Sequence, residues 1–101
     1  MSSRKKKVPP PLESRIERSC VDAARKLGIM STKLQGIGNR SMPDRVFWRN
    51  GGRPLLVEFK RPGGELTELQ RLKIEQLRAA GYTVLVVSGS IDFRELLWGT
   101  T

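Results

Sequence analysis

Asp44, Glu58 and Lys60 are the residues whose types and spacing could support chemistry. Asp44 opens the stretch DRVFWR, and Glu58 and Lys60 end the stretch PLLVEFK, with Asn50, Gly51 and Gly52 between the two. A glycine-rich turn between two strand-like runs predicts an antiparallel hairpin. The hairpin would bring distant parts of the sequence side by side.

The length of the turn sets the pairing of the two strands. If residues 50–52 form a three-residue loop, Val46 pairs with Leu56 and Asp44 lies across from Glu58, with the β-carbons about 5 Å apart. Lys60 returns to the same face as Glu58 because side chains alternate along a strand.

Two facing carboxylates repel each other unless positive charge lies between them. A hard divalent cation such as Mg²⁺ or Mn²⁺ prefers carboxylate and carbonyl oxygen, so it is one solution. Lys60 could instead neutralise one acid and form a structural ion pair. The residues alone leave both interpretations open.

The composition points to a polyanionic partner. The 101 residues include 19 Lys and Arg and 10 Asp and Glu, a net charge of +9 at pH 7. Such an excess attracts nucleic acid. An acidic membrane surface is the rival partner, but no segment approaches the roughly 20 apolar residues of a membrane span, and MSSRKKKVPPP lacks the apolar core of a signal peptide. We expect a single domain in the cytoplasm, in a bacterial or phage-infected cell.

Several kinds of site are excluded by composition. The chain has no histidine and a single cysteine, Cys20. Triads with a histidine base, zinc sites built on histidine or several cysteines, and internal disulfides are therefore excluded. The spacing of Cys20 from Ile16 predicts a buried position on a helix.

The periodicities predict the order α-β-β-β-α-β-α, a mixed α/β fold. Residues 1–11 read as a basic, proline-ending flexible arm and residues 12–101 as one domain. The first helix, from Leu12 to Leu27, presents Glu13 and Glu17 on one face, and the second is capped by Thr67, with Leu69, Leu72 and Leu77 facing inward. The remaining predictions are strands over 29–35, 44–49, 54–60 and 82–87, the last covered on both sides, a closing helix from Ser90 to Trp98, and Trp48 and Trp98 in the core or an interface.

The ordered set of motifs resembles the PD-(D/E)xK nuclease superfamily and, within it, the small stand-alone VRR-NUC nucleases of phages. The likeness covers most of residues 12–98. It rests on a glutamate-bearing first helix, Pro43-Asp44, Glu58-Phe59-Lys60, Pro62-Gly63-Gly64, Thr67 to Gln70 and AAGYTVLVV. It implies a restriction-endonuclease-like core, in which a small mixed sheet, made of the hairpin and a further strand, is flanked by helices.

The resemblance also implies roles for individual residues. Asp44, Glu58 and the carbonyl of Phe59 would bind Mg²⁺ or Mn²⁺, and Lys60 would lie near the scissile phosphate. Either Glu13 or Glu17 would supply a helix acid, although a solvated acid is the competing interpretation for each. Gln70 matches a family glutamine, but Thr67-x-x-Gln70 is also a capping box.

These expectations add up to a metal-dependent DNA endonuclease acting on branched DNA such as junctions or flaps. Its phosphate contacts would be Arg4, Lys5, Lys6, Lys7, Lys33 and Arg40. A core this small offers little footprint for a duplex, so we expect a homodimer or higher assembly. The alternatives are a non-catalytic nucleic-acid-binding module with a structural Asp/Glu/Lys cluster, and a basic protein that binds an acidic partner through its arm.

Overall fold

The computed structural model describes residues 12–34 and 41–88 together with Leu97. Its elements follow the predicted order as far as the fourth strand: α1 Leu12–Lys26, β1 Met30–Lys33, β2 Arg45–Trp48, β3 Pro54–Lys60, α2 Glu68–Ala79 and β4 Thr83–Ser88. The predicted arm (1–11) lies outside the described residues, and so does the closing helix apart from Leu97, which is helical and buried.

The helix α1 forms where the apolar spacing predicts it. Ile16, Cys20 and Ala24 recur every fourth residue and are buried, so one stripe of the helix packs on the sheet. Gly28 ends the helix with φ +77°, and the N–H of Ile29 donates to the carbonyl of Ala24 at 2.8 Å. This is the left-handed termination that glycine permits without strain.

The hairpin has the register that the three-residue loop predicts. Val46 pairs with Leu56 and Phe47 with Leu55 in the antiparallel ladder of β2 and β3. Gly51, with φ +88°, occupies the turn position that requires positive φ. The prediction for the hairpin is confirmed, and continuing the count by one residue places Asp44 across from Glu58.

The four strands form one mixed sheet in the order β1-β2-β3-β4. The first three are antiparallel neighbours, whereas β4 runs parallel to β3, as a crossover through α2 allows. One face, the α1 face, buries Phe47, Leu55 and Val57. The opposite face, the α2 face, buries Val46 and Leu56.

Three expectations about burial were wrong. Leu69 (66% exposed) and Leu72 point away from the sheet, and Val86 of β4 is also exposed. On α2 the sheet is contacted instead by Ile74, with Leu77 partly buried beside it. The short helix covers Val84 but not Val86, so the sheet stays open beside Glu58, which pairs with Val86.

Trp48 does not lie in the core, because nearly half of its surface is exposed. Its indole N–H donates to the hydroxyl of Thr32 at 2.9 Å, so its position is fixed by a polar contact rather than by burial. A role for Trp48 in an interface stays a prediction, and Trp98 lies outside the described residues. In the part of the chain that the structure describes, neither helix combines the length and the apolar character needed to cross a bilayer.

Candidate active site

The carboxylate of Asp44 lies at the start of β2, where the hairpin ladder ends. The last ladder pair is Arg45 with Val57. One residue further, the Oδ2 atom of Asp44 accepts a hydrogen bond from the backbone N–H of Phe59 at 2.7 Å. This bond ties the Asp44 side chain to the strand that carries Glu58.

Glu58 is a buried acid with one unsatisfied oxygen. Its residue is 3% exposed. Its Oε2 atom accepts a hydrogen bond from Gln70 Nε2 at 3.1 Å and lies 3.7 Å from Lys60 Nζ. Its Oε1 atom is buried and has no hydrogen-bond partner among the residues that the structure describes. Because an unpartnered buried charge is costly, a cation or a hydrogen-bond donor at Oε1 would stabilise the ionised form of Glu58.

Burial and mutual repulsion disfavour the charged forms of both acids. Burial, and secondarily the charge of Asp44, raise the pKa of Glu58 to about 7, although Lys60 opposes the shift. Burial also raises the pKa of Asp44, against the hydrogen bond from Phe59, with Glu17 adding to the rise. Two acids with raised pKa values at one place are typical of functional sites.

Gln70 forms the predicted capping box and also contacts Glu58, while its role in a site stays a prediction. The side chain of Thr67 accepts from the N–H of Gln70, and the Oε1 atom of Gln70 accepts from the N–H of Thr67, so the capping box is complete. The amide nitrogen of the same glutamine donates to Glu58. The start of α2 therefore fixes one oxygen of Glu58 and leaves the other free.

Glu17 is held on the α1 face by Arg45. The Nε atom of Arg45 lies 2.7 Å from Glu17 Oε2, its Nη1 atom donates to Ser31, and Lys33 Nζ lies 3.8 Å from the same Glu17 oxygen. Glu13 makes no comparable contact with the described residues. Of the two candidate helix acids, the structure brings only Glu17 close to the hairpin.

Arg45 is the residue that sequence reasoning missed. It follows Asp44, so strand alternation turns it toward α1 and away from the carboxylate pair. A half-buried arginine on that face requires an acid, and Glu17 on the facing helix was the available signal.

Of the predicted phosphate contacts, Lys33 alone lies among the residues that the structure describes. Lys33 is exposed beside Glu17, whereas Arg4, Lys5, Lys6, Lys7 and Arg40 lie outside the described residues. Cys20 is fully buried, and burial raises the pKa of its thiol to about 12, so it is a packing residue and not a nucleophile.

The donors present suit a hard divalent cation. They are the carboxylates of Asp44 and Glu58 and the carbonyl of Phe59, all oxygens of the kind that Mg²⁺ and Mn²⁺ prefer. Such an ion would give a partner to Glu58 Oε1, which has no hydrogen-bond partner among the described residues. Within residues 12–34, 41–88 and 97, no three acidic or cysteine side chains form a metal cluster, so water would have to supply the remaining ligands.

A four-stranded mixed sheet with a helix on each face and an Asp/Glu/Lys cluster where the hairpin ladder ends defines a restriction-endonuclease-like core. Residues 12–91 match the VRR-NUC domain family. The chain belongs to this family of nuclease domains.

Individual relatives agree with the family assignment. The chain is 35% identical over 85 residues to "Putative nuclease p44" of Acyrthosiphon pisum secondary endosymbiont phage 1. The aligned region covers 84% of this chain and 90% of the relative. It is also similar to a solved structure described as a VRR_NUC domain, with 25% identity and a TM-score of 0.72 over 86% of this chain and 91% of the other.

Proposed function

We propose that the protein is a divalent-metal-dependent endonuclease that hydrolyses phosphodiester bonds in DNA, with a preference for branched substrates such as junctions or flaps. The observation that supports this most strongly is the buried Oε1 atom of Glu58, which has no hydrogen-bond partner among the described residues, in a carboxylate whose other oxygen lies 3.7 Å from Lys60 Nζ. A buried acid in this state gains a partner when a cation binds. The relatives' name and family support hydrolysis of nucleic acid.

Each residue of the chain has a distinct task in the proposed reaction. Asp44 and Glu58, with the carbonyl of Phe59, hold the ion, which when bound supplies the positive charge that stabilises the transition state and activates water. Lys60 can only donate hydrogen bonds, so it contacts the scissile phosphate or orients the attacking water. Gln70 positions Glu58.

Glu17 enters the proposal as an outer residue and not as a direct ligand. Its carboxylate is already engaged by Arg45 at 2.7 Å, so it orients water or charge at the edge of the site. Glu13 is the less favoured helix acid because it makes no such contact with the described residues.

Binding of DNA is proposed to rest on the basic surface. The net charge of +9 provides counterion release, and Arg4, Lys5, Lys6, Lys7, Lys33 and Arg40 are the proposed phosphate contacts. A homodimer would supply one active site per strand, and the exposed Leu69 and Leu72 are a candidate interface. The relative's phage origin is in keeping with a bacterial or phage-infected cytoplasm.

The test compares cleavage by the protein with cleavage by Asp44→Asn and Glu58→Gln variants. Labelled junction, flap and linear DNAs are incubated with Mg²⁺, Mn²⁺ or EDTA. We expect each substitution to lower the rate on the order of 10³-fold, and EDTA to abolish it. Glu75→Gln removes an exposed acid from α2 and serves as the matched control with unchanged rate. Equal cutting by all four proteins would contradict the assignment of the site.

A non-catalytic module is the second candidate, because Lys60 Nζ lies 3.7 Å from Glu58 and could serve as a structural ion pair alone. In that case no cleavage appears with Mn²⁺, and DNA binding is the same in EDTA.

Analytical ultracentrifugation of the protein with and without DNA tests the proposed dimer. A monomer under both conditions would contradict it.

A further inference from the structure

An open groove runs between α1 and the strands β1 and β2, on the face of the sheet opposite Glu58. Its volume is about 460 Å³, and Arg18, Arg25, Lys33 and Arg45 line it together with Glu17 and Asp22. A second hollow of about 580 Å³ shares Arg25 and Arg45 with the first and reaches Gly28 and Met30. The two hollows together follow the helix from Ser14 in its first turn to Gly28 just past its C-terminal end.

The charges along the groove are unequal. Asp22 lies 3.5 Å from Arg25, and Glu17 is shared by Arg45 and Lys33. Arg18 makes no ion pair or hydrogen bond with any residue that the structure describes. The six charged residues therefore leave an excess of two positive charges facing open solvent, which attracts an anion.

The spacing of the two arginine side chains suits a polymer of phosphates better than a single anion. Arg18 and Arg25 are seven residues apart in α1, or about 10 Å along the helix axis. Successive phosphates of one DNA strand advance by about 3.4 Å along the duplex axis, so two basic side chains this far apart can contact different phosphates of the same strand. Both side chains are exposed, so they can reach phosphates without unfolding any structure.

One side of the groove lies next to the backbone of Asp44. Lys33, which lines the groove, pairs with Arg45 in the sheet, and the N–H of Leu34 donates to the carbonyl of Asp44 at 2.9 Å. Arg45, which lines both hollows, is the next residue after Asp44, and its side chain is anchored by Ser31 and Glu17. Lys33 is more exposed and lies at 3.8 Å from Glu17, so it can exchange the carboxylate for a phosphate at little cost.

We propose that this groove binds the sugar-phosphate backbone of one DNA strand through Arg18 and Arg25, next to the strand position that carries Asp44. The assignment rests on the proposed function for the identity of the substrate. Arg18 and Arg25 act in binding only, and Arg45 is a positioning residue that holds Glu17 at the end of the groove.

The experiment pairs two double variants that remove the same charge. The groove variant, Arg18→Gln with Arg25→Gln, removes two positive charges from the groove. Arg53→Gln with Arg71→Gln is the control, because Arg53 and Arg71 are exposed and Arg71 pairs with Glu68 three residues before it, as Arg25 pairs with Asp22. DNA affinity is measured in EDTA by fluorescence anisotropy at several salt concentrations, and cleavage in Mn²⁺ is measured separately.

The groove variant should bind DNA at least 10-fold more weakly, and the slope of log affinity against log salt should fall by about 2, since each lost phosphate contact removes about 0.9. The control should change affinity less than threefold. In cleavage, the groove variant should raise KM and leave kcat unchanged. Equal losses in the two variants would overturn the groove, as would binding of inorganic phosphate that depends on Arg18 and Arg25 when DNA binding does not.

Binding in EDTA also separates this inference from the proposed function. If the unmodified protein never cuts DNA and only the groove variant loses affinity, the proposed DNA-binding groove is supported and the proposed nuclease function is contradicted. If the unmodified protein cuts DNA and the two double variants bind DNA with identical affinity, the proposed nuclease function is supported and the proposed groove is contradicted.

Discussion

The two faces of the sheet differ in what they bury. On the α1 face, the described residues form a cluster of ten buried apolar side chains. On the α2 face, four apolar side chains are buried, and Glu58 and Gln70 are buried with them. The α1 face thus supplies most of the hydrophobic stabilisation. The α2 face supplies less, because it also buries the carboxylate of Glu58 among apolar side chains.

The comparison predicts that truncation of the α1 face has the largest effect on stability. Phe47→Ala removes a fully buried ring and should lower the free energy of unfolding by about 3 to 5 kcal/mol. Leu69→Ala on the exposed side of α2 should change it by less than about 0.5 kcal/mol. Urea unfolding of both variants checks this. A similar cost for the two would show that Leu69 is buried in solution, for example in a dimer.

The second prediction concerns the pH dependence that a buried acid imposes. The pKa of Glu58 rises from its ordinary value of 4.5 to about 7, so the folded protein binds this proton more tightly than the unfolded chain does. The associated stability is present below pH 4.5 and is lost as pH rises to about 7, by on the order of 3 kcal/mol. The raised pKa of Asp44 acts in the same direction.

The control for this prediction is Glu58→Gln, which cannot ionise. In a chelator at pH 8 this variant should be more stable than the unmodified protein by on the order of 3 kcal/mol, and the gap should close toward pH 4.5. Adding Mg²⁺ should stabilise the unmodified protein at pH 8 but not at pH 5, because only the ionised acid binds the ion. Identical pH profiles for the two proteins would mean that Glu58 is solvated.

The sequence was sufficient wherever local rules act alone. The hairpin register follows from the loop length and strand alternation, and it places Val46 opposite Leu56 as observed. The capping box of Thr67 and Gln70 is a property of four consecutive residues. Termination of α1 at Gly28 needs only the left-handed conformation.

The sequence was insufficient where the outcome depends on how elements pack together. Leu69 and Leu72 have the spacing of an inward face, but α2 contacts the sheet through Ile74 instead, which periodicity along one helix cannot decide. The pairing of Glu17 with Arg45 joins residues 28 positions apart, so it required the placement of α1 on the sheet. The contact of Gln70 with Glu58 likewise depends on where α2 is placed.

The smallest expected effect on stability comes from the residues at the start of α2, and it tests whether the Gln70 side chain orients the carboxylate of Glu58. Thr67→Ala and Gln70→Ala each remove one half of the capping box, so each should lower the free energy of unfolding by about 1 kcal/mol. Only Gln70→Ala also removes the donor to Glu58 Oε2. Freed from that bond, the carboxylate can rotate, and Mn²⁺ affinity measured by calorimetry should fall about 10-fold or more, whereas Thr67→Ala should leave it unchanged. Equal losses of affinity would show that the position of the helix, and not the glutamine side chain, orients the carboxylate.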